Sequence, residues 1–372
     1  MSIDYRRMAI EVESPEQLGY GRIRCNLAES SVADVRLRDL RVALDDLVLV
    51  YGDHVGHPAM RDLIAADDPH LTAADVLLVP GAAAALFIVA TTLLARGDRV
   101  VVARPNYATN LETPRAIGAE VAVLDLRHED GWRVDPARLR ALMTPETRLV
   151  SLTSPHNPTG QVIDDATMTE IVAMVEAHPR ATLLVDETYR EMAFDGPASL
   201  VAGRSKRAVG VSSLSKSFGL PGIRLGWITC RDHELMERFL AAKEQILITN
   251  SVVDEAIGHE ALRRRADLLP PLRAGVSTAL DTVRGWIAAD GRFEWVEPRG
   301  GVVGFPRVRP DLDIDLDAFY AGLFERHGTL VGPGHWFDQP RRHFRLGYGW
   351  PAPDRLAEGL AALSAAATEA GA

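Results

Sequence analysis

The chain has 372 residues, 47% hydrophobic and 25% charged, the composition of a soluble globular protein large enough for two domains and unlike a disordered or fibrous one. Forty-one basic against 51 acidic side chains leave a formal net charge of -10, and the short basic runs Arg263–Arg265 and Arg341–Arg342 read as solvated faces, so no nucleic-acid partner is expected. The opening MSIDYRRMAIEVES has no apolar core of export-signal length, which predicts a cytoplasmic protein, and Cys25 and Cys230 lack both metal spacing and a disulfide pattern.

In chain order, short β-branched runs alternate with helical patterns. VLLVP (76–80), RVVVA (99–103), EVAVLDL (120–126), RLVSLTS (148–154), ATLLVDET (181–188), AVGVSSL (208–214) and RLGWITC (224–230) read as buried strands. The apolar run at 82–95 is too short to cross a bilayer and reads as a buried helix, so no membrane partner is expected. Strand–helix alternation predicts an α/β fold with a mostly parallel sheet covered by helices, and ligands in such sheets bind at the carboxyl ends of the strands. Helical stretches from about 232 to 289 follow, then strands in FEWVE, GVVGFPRV and HFRLGYG, and a closing amphipathic helix in the Ala-rich tail. These divide the chain into an N-terminal segment (1–40), a large domain (41–285) and a smaller C-terminal α/β domain (286–372).

The strand ends carry the chemistry. VLLVP leads into Gly81-Ala82-Ala83, whose amides open a helix and could cradle an anion. RLVSLTS leads into SPHNPTG with Asn157 in a turn, ATLLVDET contains Asp186 and Tyr189, and SSLSKSFGLPGIRLGW supplies hydroxyls, Lys216 and Arg224 on a glycine-punctuated segment. Each feature alone is common. Together they provide an amine for an aldehyde, an acid for a ring nitrogen, donors for a phenolate and a phosphate cup, which is what pyridoxal 5'-phosphate requires.

With these residues in this order, from YGDHVGHPAMR to HFRLGYG, the chain resembles the class I/II aminotransferases of fold type I, the aspartate aminotransferase-like group. The resemblance implies that Lys216 forms the Schiff base with the cofactor and that Ser213 and Arg224 bind its phosphate. Asp186 then meets the pyridine nitrogen, Asn157 and Tyr189 donate to the ring oxygen, and Tyr107 stacks on the ring. It further implies that Arg345 clamps the substrate α-carboxylate and that Tyr51 reaches a neighbour's phosphate across a homodimer. Amino acids and 2-oxo acids are the implied substrates, and Lys216, Asp186 and Tyr189 the implied catalytic residues.

Two departures bear on the substrate. EQILITNSVVDE (244–255) lacks the arginine that dicarboxylate-specific members carry there and begins with Glu244, which argues against aspartate or glutamate as the specific donor. CNLAESSVAD (25–34) places Glu29, Ser30 and Ser31 where a small, glycine-containing loop is expected to cover the substrate. Glu29 then reads either as the acid of a helix start, or as a partner for a cationic substrate side chain beside Ser30. His54, His57 and His335 fit no motif and read as structural, His335 being the one placed to touch substrate. The same cofactor chemistry also serves lyases, cyclases and oxidases of this architecture, so aminotransfer is the leading reading and these are alternatives. A non-catalytic cofactor-binding sensor module is the alternative from another class. Such modules carry a DNA-binding head, and none is expected here because the resemblance begins within about thirty residues of the first.

Overall fold

The computed structural model describes residues 3–371. A first strand, β1 (Cys25–Asn26), precedes seven that form one sheet: β2 (Val76–Val79), β3 (Arg99–Arg104), β4 (Glu120–Asp125), β5 (Thr147–Thr153), β6 (Thr182–Asp186), β7 (Ala208–Ser213) and β8 (Gly226–Cys230). Their order is β2-β8-β7-β6-β5-β3-β4, with every pair parallel except those made by β8. The predicted mostly parallel sheet is present, and its unbroken apolar runs follow from burial on both faces: Val100, Val101 and Val102 are all fully buried. The predicted helix at 82–95 is Ala82–Leu93, packed against this sheet.

Two predicted strands are shorter than the sequence pattern by two residues or more. The last begins at Gly226 and not at 224, because Arg224 has φ 44° and ψ 50°, a left-handed conformation that cannot continue a strand. The fifth, β6, ends at Asp186, whose carboxylate accepts from the Thr188 amide (3.0 Å) and turns the chain.

A long helix, Arg265–Asp290, leads away from the sheet and runs through position 285. Beyond it lie short strands, of which β9 (Phe344–Gly347) pairs antiparallel with both Val303–Gly304 and Gly332–Pro333, and a closing helix, Pro353–Ala370. The N-terminal segment joins this second unit, since β1 pairs parallel with Thr329–Leu330. Among the described residues no helix is long and apolar enough to cross a membrane.

His343, just before β9, is buried among aromatic rings. Phe305 stacks on it (5.3 Å, 18°), Trp132 meets it edge-on (5.5 Å), and neither ring nitrogen has a hydrogen-bond partner. Burial, aided by the Arg307 charge, pushes its pKa down to about 4. The unfolded chain therefore binds a proton that the folded chain refuses. Stability from this group is fully present above the ordinary histidine pKa of about 6.5 and is lost as pH falls toward 4. Buried His156, also pushed down to about 4 by desolvation, acts in the same direction. Urea unfolding at pH 7.5 and pH 5 checks this: His343→Phe is expected to lose about 2 kcal/mol less than the wild type between the two pH values. Equal losses in the two proteins would contradict the assignment.

Candidate active site

Strand register explains why distant motifs meet. Gly226 at the start of β8 lies opposite Val79 at the end of β2 on one side and opposite Ser213 at the end of β7 on the other. The Gly81 loop, the Ser213–Lys216 turn and Arg224 are thereby brought to one edge of the sheet. The approach demands glycine, because a Cβ on Gly226 would lie 2.6 Å from the Ser212 carbonyl oxygen and 3.0 Å from the Ala82 nitrogen. Gly81 has φ +89°, and a Cβ there would stand 2.8 Å from an Arg224 guanidinium nitrogen. Arg224 donates to Ser215 Oγ (3.3 Å) and to the Pro221 carbonyl (2.7 Å). The start of the 12-residue helix Ala82–Leu93, two hydroxyls and a guanidinium thus form a cup suited to a phosphate.

The cup opens into a cavity of about 580 Å³ whose walls include Ala82, Ala83, Tyr107, Asn157, Asp186, Tyr189, Ser213, Lys216, Arg224, Glu29, Ser30 and Arg345. Asp186 and Thr153 are register partners at the adjacent ends of β6 and β5. Burial raises the Asp186 carboxyl above the ordinary carboxylate range, opposed by the Thr188 hydrogen bonds and the Lys216 charge. Burial likewise lowers the Lys216 amine, helped by Arg345 and Arg224 and resisted by Glu29 and Glu16. Tyr107 is anchored from below by fully buried Asn106, whose Oδ1 accepts from the Tyr107 amide (2.8 Å) and from Thr153 Oγ1 (3.0 Å). The Tyr189 hydroxyl donates to the Ser30 carbonyl (2.7 Å), so its one proton serves the N-terminal loop. Donation to a cofactor oxygen would require that bond to exchange.

Arg345, on β9, is 4% exposed. It donates to Asn157 Oδ1 (3.2 Å) and to the Ala28 carbonyl (2.7 Å), its Nε has no partner, and no carboxylate pairs with it among the described residues. Because Asn157 uses its oxygen on Arg345, its amide NH₂ remains to donate. The loop carrying Glu29 lies against the end of β9: the Gly347 amide donates to the Leu27 carbonyl (2.7 Å), and a Cβ on Gly347 would collide with the Glu29 carbonyl oxygen. This overturns the helix-start reading of Glu29. Residues 27–36 are not helical, and the next helix is Leu37–Leu40. The Val32 amide donates instead to the Lys216 carbonyl (3.0 Å), and among the described residues the Glu29 carboxylate meets only the Tyr20 hydroxyl (3.4 Å) and the Asn26 amide (3.5 Å).

Among the residues singled out in the sequence, Tyr51, Glu244 and His335 stand outside this cavity. Tyr51 is 82% exposed at the end of an exposed run, Val48-Leu49-Val50. Glu244 pairs with His54 Nδ1 (2.5 Å). His335 is turned to Glu13 (2.8 Å) and does not line the cavity, whereas its neighbour Trp336 does. Sequence reading missed Ser215 and the N-terminal residues Glu11, Ser14 and Glu16, all of which line the wall. The repeated acids in AIEVESPEQ were the only available signal, and they match a solvated helix equally well.

The family model described as "Aminotransferase class I and II" matches residues 18–363. The chain is 31% identical over 357 residues to capreomycidine synthase of Streptomyces vinaceus, covering 93% of this chain and 90% of that protein. It is 32% identical over 326 residues to the arginine–pyruvate transaminase AruH of Pseudomonas aeruginosa, covering 83% and 81%. Among solved structures, a PLP-dependent aminotransferase from Streptococcus suis superposes with a TM-score of 0.90 at 25% identity, over 100% of this chain and 99% of that one. The PLP-dependent cyclase OrfR gives 0.87 at 30% identity, over 99% and 100%.

The cup predicts a specific loss. Gly81→Ala places a side chain at positive φ against Arg224, so pyridoxal phosphate affinity, measured by equilibrium dialysis, is expected to fall at least about tenfold in a protein that still folds. Wild-type affinity in this variant would show that the phosphate lies elsewhere.

Proposed function

The chain belongs to the class I and II aminotransferase family and is a pyridoxal phosphate-dependent aminotransferase; from that premise we propose that its amino donor is an L-amino acid with a distal cation, of which arginine is the leading case. The observation that carries the proposal is Glu29, a carboxylate in the cavity wall with no cationic partner among the described residues, in a cavity that also holds Arg345. An α-carboxylate on Arg345 leaves the donor's side chain to meet the carboxylates of the N-terminal segment. The likeness to the arginine–pyruvate transaminase supports the same donor class, with a 2-oxo acid as acceptor.

Pyridoxal phosphate supplies an aldehyde to receive the amine and a ring that stabilises negative charge at the substrate α-carbon. In our reading the chain does the rest. Lys216 would anchor the cofactor, and its lowered pKa favours the neutral amine, the form that could take the proton from the substrate α-carbon. Asp186 holds the ring-nitrogen proton, the positive charge there offsetting the burial that otherwise raises its carboxyl. Asn157 links the two halves of the site, accepting from Arg345 while its NH₂ would meet the ring oxygen, which Tyr189 would join on giving up its bond to the Ser30 carbonyl. Ser213, Arg224 and the Gly81-Ala82-Ala83 amides would hold the phosphate, and Tyr107 would pack on the ring face.

We also infer a homodimer. The exposed Val48–Tyr51 run and the distance of Tyr51 from its own cavity support a role for this tyrosine at a second copy's phosphate. A second reading, cyclisation of the donor, draws on the likeness to capreomycidine synthase and OrfR, and the two readings part at the fate of the α-amino nitrogen.

Steady-state kinetics with arginine and with citrulline, its neutral isostere, test the donor. Glu29→Gln is expected to lower kcat/KM for arginine about tenfold and to leave citrulline within about twofold. Unchanged discrimination would remove the cationic donor. Lys216→Ala is expected to lose the visible absorbance of the holoenzyme and its borohydride-fixed cofactor, and fixation that persists would displace Lys216 from its role.

A further inference from the structure

Residues 9–18, two four-residue helices (Ala9–Val12 and Pro15–Leu18), form part of the cavity wall, and three side-chain contacts hold them there. Glu11 accepts from the Tyr107 hydroxyl (3.2 Å), which ties the segment to the large sheet. On the other side one oxygen of Glu13 meets both the Trp336 indole N–H (2.6 Å) and His335 Nε2 (2.8 Å), in the turn that leads into β9. The ring of Trp336, 4% exposed, lies 5.9 Å from the Arg345 guanidinium carbon, and the Phe337 ring lies 5.2 Å from it. Trp336 therefore has two faces of work. Its N–H is held by the N-terminal segment, and its π surface walls the buried guanidinium, which has no carboxylate of its own.

We propose that Glu13 is a positioning residue for substrate binding: by fixing the Trp336 indole it braces Arg345 against the substrate α-carboxylate and holds residues 9–18 over the bound substrate. An indole N–H to carboxylate bond is charge-assisted and directional, so it fixes the ring plane as well as its position. With Glu13 removed, the ring keeps its volume but loses the contact that orients it, and Arg345 loses a fixed wall. The same loss frees the segment bearing Ser14 and Glu16 from the second unit. Glu13 does not line the cavity, so its effect passes through Trp336. The inference rests on Arg345 as the carboxylate clamp and is independent of the donor's side-chain charge.

The test uses the holoenzyme with arginine as donor and pyruvate as a 2-oxo acid whose only charged group is the carboxylate, read as KM or, without turnover, as Ki. Glu13→Ala is expected to raise both values about tenfold, with kcat within about twofold. Glu13→Gln, which keeps an acceptor for the indole, is expected to restore them to within about twofold of wild type. Trp336→Phe keeps a ring but removes the N–H, and is expected to reproduce Glu13→Ala. This variant and Glu13→Gln decide the matter if the alanine variant does not fold. A merely structural role would lower Tm and active fraction while leaving KM unchanged, and that result overturns the proposal, as does wild-type KM in Trp336→Phe. Arg345→Gln separates the two levels. If it leaves the pyruvate value unchanged, the carboxylate-clamp reading falls and this proposal with it. If it raises that value while Glu13→Ala and Trp336→Phe do not, only the bracing falls.

Discussion

The structure depends on a guanidinium buried without a counter-ion. Among the described residues Arg345, 4% exposed, hydrogen-bonds only neutral oxygens, from Asn157 and Ala28, and its Nε has no partner. A buried cation is costly unless an anion arrives to share its field, so this arrangement is poised for a carboxylate. Its supports come from separate parts of the chain: β9 carries it, the NPTG turn after β5 meets it, the loop after β1 caps it, and Trp336 and Phe337 wall it. Moving any one of them would uncover or misdirect the guanidinium.

Around it the cavity is divided by charge. Arg224 and the start of the Ala82–Leu93 helix make one end attractive to phosphate, and Arg345 makes another attractive to a carboxylate. Glu11, Glu16 and Glu29 line the side formed by the N-terminal segment. Lys216 lies within reach of both signs, its amine lowered by burial and by Arg345 and Arg224 while Glu29 and Glu16 resist. An amino acid with a distal cation matches this division, whereas a second carboxylate on the donor would face the acids.

How much was legible in the sequence follows from where the information lies. The seven strands could be read because burial on both faces imposes runs such as VVVA and TLLVD, and the chemistry at their ends could be read because a parallel sheet gathers those ends. Arg224 shows the limit of pattern. Its neighbours LGWITC look like strand from 224, yet its left-handed backbone is set by tertiary position beside Gly81. Glu29 was ambiguous because ESSVAD satisfies a helix-start pattern, and only the close passage of its carbonyl over Gly347, more than three hundred residues later, decides against a helix. The acids at 11, 13 and 16 were not legible as site residues, since nothing local distinguishes a carboxylate over a cavity from one in water. Glu13 acquires meaning only from His335 and Trp336, which no spacing rule connects to it.

The central claim is that this cavity moves an amino group from a cationic amino acid to its cofactor. The most direct measurement is a single turnover of holoenzyme with arginine and no 2-oxo acid, quantifying cofactor form, ammonia and the carbon product. One equivalent of the aminated cofactor and one of the donor's 2-oxo acid per site are expected, with no free ammonia. Cofactor that remains in the aldehyde form, with ammonia released or a cyclised amino acid formed, would contradict it.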